Sequence, residues 1–301
     1  MHARLRNALS AVLVALACLL VPFGALAAWA VHGLGDTGRY LTAVAPLAGD
    51  PDVREAVADG VGAGILREAG VGPADEAVAP FVHDAVRSFT RTEAYRTVWD
   101  AANRAVHDAV LRALRERHPA GHPVTVDLAP VTARLKDRLA RDDVLLADRI
   151  PVAHTEVAVV PAEDVAALRT GYRVLDAAAF WLPLTSVVFA VTGICVAARR
   201  RRAVAAAGLG TALGGALLVA AVAVGRRLTL ADLPAGIHRP AAGAVYDALT
   251  ATLRTVSWLL LALGLAVACV SWLSGRRPGR RRRASAGPAA DPAPEPTRAR
   301  A

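Results

Sequence analysis

Two adjacent His-Asp pairs, His83-Asp84 and His107-Asp108, are the residues of this chain whose types most readily suggest chemistry. Metal-dependent phosphohydrolases use such pairs, but with further His and Asp ligands at defined places, and none stand around either pair. Both pairs fall in helical patterns and read as polar residues on helix surfaces. His118 and His122 have the i, i+4 spacing that aligns two ligands on one helix face, yet Pro119 and Gly121 between them preclude that helix. Ser88 is the only serine between residues 32 and 176, no cysteine accompanies it there, and no Gly-x-Ser-x-Gly motif occurs. The paired acids Asp142-Asp143 and Glu163-Asp164 sit where adjacent acids are ordinarily solvated or cap a helix. Gly60, Gly62 and Gly64 lack the dinucleotide spacing and follow no strand, and there is no Walker motif. These residues assign no catalytic residue, no cofactor and no metal, and they lean away from an enzyme.

The elements that would position any site are dominated by four apolar blocks: residues 8–31, 177–198, 203–225 and 255–274. Each is long enough to cross a hydrocarbon core of about 30 Å at about 1.5 Å per residue. None carries Asp, Glu, Lys, Arg or His in its interior. Transport is poorly supported, because coupled transporters place ionisable groups or broken helices at the midplane, whereas here only Thr185, Ser186, Thr192 and Thr211 are polar in mid-span. Pro22 and Pro183 lie towards span ends and read as kinks there.

Arginine placement sets direction. Arg199, Arg200, Arg201 and Arg202 separate the second and third blocks, and Arg276, Arg277, Arg280, Arg281, Arg282 and Arg283 follow the fourth. With Arg4 and Arg6, all three clusters are cytoplasmic only on an in–out–in–out–in path, which puts both termini in the cytoplasm of a multi-pass cell-membrane protein. Arg226 and Arg227 are minor violations. The third block is the weakest span, but dropping it would place the arginine-rich tail outside. Trp29, Trp181, Trp258 and Trp272 fall at or near span ends, where amphipathic rings anchor at the interface. Ala25-Leu26-Ala27 resembles a signal-peptide cleavage site, but the apolar run continues through Val31 and favours an uncleaved anchor.

The resulting plan is a short cytoplasmic N-terminus (1–7), a first span, an extracytoplasmic domain (32–176), two spans flanking an arginine loop (199–202), an outer loop (226–254), a fourth span and a basic, disordered cytoplasmic tail (275–301). The fold class is mainly α: four transmembrane helices plus an extracytoplasmic helical domain with a small two-stranded β ribbon. In that domain a helix starts at Asp50-Pro51 and runs to about Ala69, and a second runs from Pro73 to Phe89. Thr90-Arg91-Thr92-Glu93 reads as a capping box for a third, whose apolar face is Tyr95, Val98, Trp99, Ala102, Val106, Val110 and Leu114. Val124–Leu128 and Thr155–Val159 alternate as strands do and are expected to pair. The helix from Ala162 is expected to continue into the second span. Residues 241–254 predict a short amphipathic helix packed on the outer domain.

The net charge of +9 invites a nucleic-acid reading, but residues 32–176 carry 17 basic and 22 acidic side chains, so the folded domain offers no basic face. Cys18, Cys195 and Cys269 all lie in apolar blocks and read as small packing residues, with no disulfide framework outside. Gly210 and Gly214 form a G-x-x-x-G pattern in the third span. It suits a homodimer contact or, the favoured alternative, packing against another span of the same chain. The remaining partners are membrane lipid and a protein met by the outer domain.

Asp36–Tyr40, then Val44–Ala48 and Asp50-Pro51, stand ahead of Val124–Leu128, Ile150-Pro151 and a Trp181-Leu182-Pro183 start to a span closed by arginines. This succession resembles uncharacterised integral membrane proteins of actinobacteria over nearly the whole chain. The resemblance implies four spans with a large extracytoplasmic domain after the first, and it implies no activity, cofactor or catalytic residue. The leading expectation is an envelope protein that senses, binds or scaffolds through its outer domain. The alternatives are a membrane-surface enzyme acting on lipid or cell-wall substrate and an accessory subunit of a transport or export system.

Overall fold

The computed structural model describes residues 2–68, 70, 78–115, 124–127, 133, 156–160, 162–234 and 236–275. Among them four helices are long and apolar enough to cross a membrane. They are α1 (His2–Ala28, prolonged by a π-helical turn Trp29–Leu34), α6 (Ala162–Val196), α7 (Arg200–Ala231) and α8 (Arg239–Gly275). Between α1 and α6 lie α2 (Thr37–Val44), a 3-10 turn Ala45–Gly49, α3 (Pro51–Glu68), α4 (Val78–Phe89) and α5 (Glu93–Arg115). Two strands, Val124–Asp127 and Glu156–Val160, pair antiparallel, with Asp127 opposite Glu156. The tail arginines Arg276, Arg277 and Arg280 to Arg283 fall outside the described residues, as do His118, His122, Asp142 and Asp143.

The long helices stand in the order α6, α1, α7, α8, with α1 packed on α6 and α7, and α7 on α8. Small residues set how closely they approach. A Cβ on Gly208 would lie 2.8 Å from the Gly264 carbonyl oxygen, and one on Gly215 would lie 2.7 Å from the Leu261 amide nitrogen, so α7 and α8 meet backbone to backbone. Pro183 of α6 packs on Gly24 of α1. Ser10 and Ser186 are buried in this contact and donate across it, to Gly193 O at 2.7 Å and Ala17 O at 3.0 Å. Away from these seams the long helices leave Leu19, Phe180, Leu213, Leu217 and Leu263 exposed. In water so much uncovered apolar surface would drive association, and hydrocarbon is the solvent that suits it.

The shorter helices form a head at one end. Its core is Leu41, Val44, Leu47 and Val53 together with Ala241 of α8, surrounded by Tyr40, Val57, Trp99, Val245 and Leu249. Trp99 Nε1 donates to Val44 O at 3.1 Å, so the ring joins α5 to α2. Asp50 caps α3 by accepting from the amides of Asp52 and Val53 at 3.0 and 3.2 Å.

The structure corrects several boundaries. Residues 241–254 are not a separate amphipathic helix. Arg239–Gly275 is one helix whose first turns lie in the head's core and whose remainder is the fourth apolar block. Arg200 to Arg202 are not a loop either: they open α7, and only Ala197–Arg199 link it to α6. Three cations in a first turn oppose the helix dipole, at a cost of a few tenths of a kcal/mol each. The cap of α5 is Thr92, whose Oγ1 accepts from Tyr95 N at 3.2 Å, while Thr90 Oγ1 donates back to Arg87 O and closes α4. The sequence pattern could not separate these two threonines two residues apart.

The buried residues of α5 are Ala94, Tyr95, Ala101, Ala109 and Leu111, so of the expected apolar face Tyr95 is buried and Val98, Trp99, Ala102, Val106, Val110 and Leu114 are half-buried. The Tyr95 hydroxyl is buried without a hydrogen-bond partner among the described residues, and burial pushes its pKa up. Tyr95→Phe is therefore expected to raise thermal stability by about 1 kcal/mol, measured by unfolding in detergent micelles. A loss of stability would show that the hydroxyl has a partner.

Candidate functional site

Among the described residues, two histidines from separate parts of the chain converge on the carboxylate of Asp59. Asp59 lies on α3 one turn after Glu55, so both carboxylates share a helix face. α4 packs on α3 beside buried Gly62, whose missing side chain faces His83 Cα and Cδ2 at 3.9 Å from an ideal Cβ. This brings His83 Nε2 onto Asp59 Oδ1. His238, in the connection between α7 and α8, brings its Nε2 onto Oδ2 of the same carboxylate. Hydrogen bonding from His83, and secondarily from His238, holds the Asp59 carboxyl below the usual carboxylate range against the opposing effect of burial. Glu55 is gripped by Arg87, whose Nε donates at 3.1 Å and whose Nη2 donates to the other oxygen. Ligand atoms of Glu55, Asp59 and His83 all lie within 4.8 Å of one another.

These side chains are 29–41% exposed. The cluster is thus a half-buried surface junction, with head residues on one side and the connection between two long helices on the other. Imidazole nitrogens and carboxylates can hold a transition metal here, and the same groups can exchange protons with solvent. Among the described residues no serine or cysteine stands in this cluster to act as a nucleophile.

The second His-Asp pair has a different task. His107 Nε2 donates to Leu34 O at 2.7 Å, Thr37 Oγ1 donates to Asp108 at 2.8 Å, and the His107 ring stacks on Tyr40 at 4.2 Å. Together they fasten the segment after α1 onto α5. A recess of about 910 Å³ lies beside this segment where the head meets the long helices, lined by Trp29, His32, Asp36, Arg39, Tyr40 and Leu249. Its polar groups are locally engaged: Arg39 donates to His32 O at 3.2 Å, and Asp36 accepts from Arg39 N at 2.8 Å.

Searches of protein-family models, of curated proteins and of solved structures found no match to this chain.

The other residues singled out in the sequence fall as follows. Gly210 faces Cys18 of α1, and Gly214 faces Pro22 of α1 with an ideal Cβ at 3.2 Å, so both line a contact within the chain. Trp181, Trp258 and Trp272 are 60%, 57% and 56% exposed on their helices. Trp29 differs: it is half-buried on Leu218, Val222 and Leu253 and donates to Leu249 O at 3.2 Å. Arg199 to Arg202 lie at the bundle end opposite the head. Arg6 Nε reaches Val196 O at 3.3 Å there, and Arg201 reaches Ser274 O at 2.8 Å. Arg226, at the head end, is matched by Asp247 at 3.2 Å.

Sequence reasoning weighed His83 with its neighbour Asp84 and did not single out Asp59 or His238. A signal was present in the i, i+4 pair Glu55 and Asp59. The histidines that complete the cluster, however, lie 24 and 179 residues from Asp59, beyond any local pattern.

Proposed function

We propose that this chain is a multi-pass membrane protein whose head lies on the extracytoplasmic side and binds a ligand or partner there, with both termini in the cytoplasm. The observation that carries the binding reading is the Asp59 cluster, where a head carboxylate and histidine meet a histidine from the α7–α8 connection. Such a junction couples occupancy of the head to the long helices. The orientation is supported by the gathering of Arg6 and Arg199 to Arg202 at one end and the acidic head at the other. The paired strands belong to this head as its ribbon, and the resemblance to actinobacterial envelope proteins belongs to the same reading.

A second reading, a lipid-directed enzyme at the membrane surface, is favoured by the recess beside Trp29 and Tyr40, whose mostly apolar wall suits an acyl chain. Its charged groups are committed to local backbone, so binding is the stronger reading.

Single-cysteine labelling with a membrane-impermeant maleimide, on a chain whose three native cysteines are replaced by alanine, tests the orientation. Cysteine placed at Asp84 is expected to label in intact cells, and cysteine placed at Ala198 only after lysis. Labelling of Ala198→Cys in intact cells would overturn the topology. Crosslinking and co-purification from native membranes tests the binding reading, and a head that captures neither ligand nor partner would count against it.

A further inference from the structure

We propose that Glu55, Asp59 and His83, whose ligand atoms lie within 4.8 Å of one another, form a binding site for a zinc-class divalent cation, with His238 holding the other oxygen of Asp59 from outside the ligand set. The donor set is the first argument. One imidazole nitrogen and two carboxylates, with water completing the shell, are ligands that divalent zinc, and after it cobalt or nickel, accepts in tetrahedral or five-coordinate sites. Calcium and magnesium, which require oxygen donors, are disfavoured.

The arrangement is the second argument. The donors come from two packed helices and their outer partner His238 from a third element, and each is fixed by something other than the cluster itself. Asp59 and Glu55 ride on α3, His83 is set by the α3–α4 contact at Gly62, and His238 immediately precedes α8, whose first turns are built into the head's core. His83 presents Nε2 to Asp59, where it donates in the metal-free cluster; binding a cation displaces that proton, so that Nε2 supplies the lone pair and Nδ1 holds the ring's proton. Arg87 plays the outer role. It already grips Glu55 with two nitrogens, fixing the carboxylate and leaving it lone pairs for a cation. A second histidine on the other oxygen of the same carboxylate, from a segment 179 residues away, makes the cluster a clasp between the head and the α7–α8 connection.

The inference deepens the binding reading but does not need its orientation, so purified protein tests it independently of the labelling experiment. Full-length protein in detergent micelles is stripped with a chelator and titrated with zinc against a chromogenic competitor, and separately with cobalt. One zinc per chain and a cobalt d–d absorption of tetrahedral or five-coordinate intensity are expected. His83→Ala should weaken zinc by at least roughly 100-fold, and His238→Ala, which removes an outer partner of Asp59, by roughly 10-fold. His107→Ala should leave it unchanged. Zinc should also raise the unfolding midpoint of the wild type and of His107→Ala, but not of Asp59→Ala. If His83→Ala misfolds, His83→Asn replaces it, with the same loss expected. Absence of stoichiometric zinc, or zinc that survives replacement of His83, overturns the proposal.

Discussion

Replacing Gly215 by leucine will separate α7 from α8 and lower the unfolding midpoint of the purified protein. A Cβ at Gly215 meets the Leu261 nitrogen at 2.7 Å, the Ser257 carbonyl oxygen at 2.8 Å and the Leu260 carbonyl carbon at 3.2 Å. All three are backbone atoms, which cannot rotate aside as a side-chain tip can. The same closeness recurs one turn or two away, where Gly208 meets Gly264 and Ala268, and Gly264 in turn meets the Ala212 backbone. An isobutyl group wedged into this seam costs about 3 kcal/mol, the upper side of the range for overpacking, because neither helix can yield locally without lifting its neighbours off. Gly60→Ala is the matched control. That glycine is exposed and meets nothing within 4 Å, so alanine should stabilise α3 by about 0.5–1 kcal/mol. A Gly215→Leu protein as stable as wild type would show that the two helices do not pack as described.

Trp29→Ala is expected to destabilise by about 2–3 kcal/mol, below the usual cost of truncating a core tryptophan because the ring is half-buried. The ring covers Leu218, Val222 and Leu253, and its nitrogen donates to the Leu249 carbonyl on α8, so it spans from the end of α1 to the helix on the far side of α7. Trp29→Phe keeps most of the apolar contact and loses the hydrogen bond, so a loss of about 1 kcal/mol is expected. The comparison with Trp181→Ala separates packing from interfacial anchoring. Trp181 is 60% exposed and should cost little in micelles. Equal losses at the two positions would return Trp29 to the role of a simple interface anchor.

The four long helices were legible because hydropathy and charge act over twenty residues at a time, and any single residue hardly alters the sum. Their ends were less legible. The fourth block was read as starting at residue 255 after an outer loop, yet α8 begins at Arg239 and passes through Asp247 and Arg254. Asp247 accepts from Arg226 at 3.2 Å and from Arg254 at 3.3 Å, so the charges are matched at the helix surface without a loop to release them. Gly210 and Gly214 were legible as packing residues, but their partner, the Cys18–Pro22 stretch of α1, carries no complementary motif. The Asp59 cluster was least legible of all. His238 sits in a connection between two spans, where a lone histidine looks like loop polarity, and only the folding of α8 into the head's core carries it to α3.

The unbroken course of α8 has a mechanical consequence. Its 37 residues span about 55 Å, about 25 Å more than a hydrocarbon thickness of about 30 Å requires. No joint separates the two portions, and Ala241, Val245 and Leu249 are gripped by the head. Helices adjust to bilayer thickness by tilting, and a tilt change of about 10° would swing the end held in the head sideways by roughly 4 Å. A helix of this kind, set in a bilayer, would act as a lever: a change of tilt in the span would be carried without a joint to the end that adjoins His238.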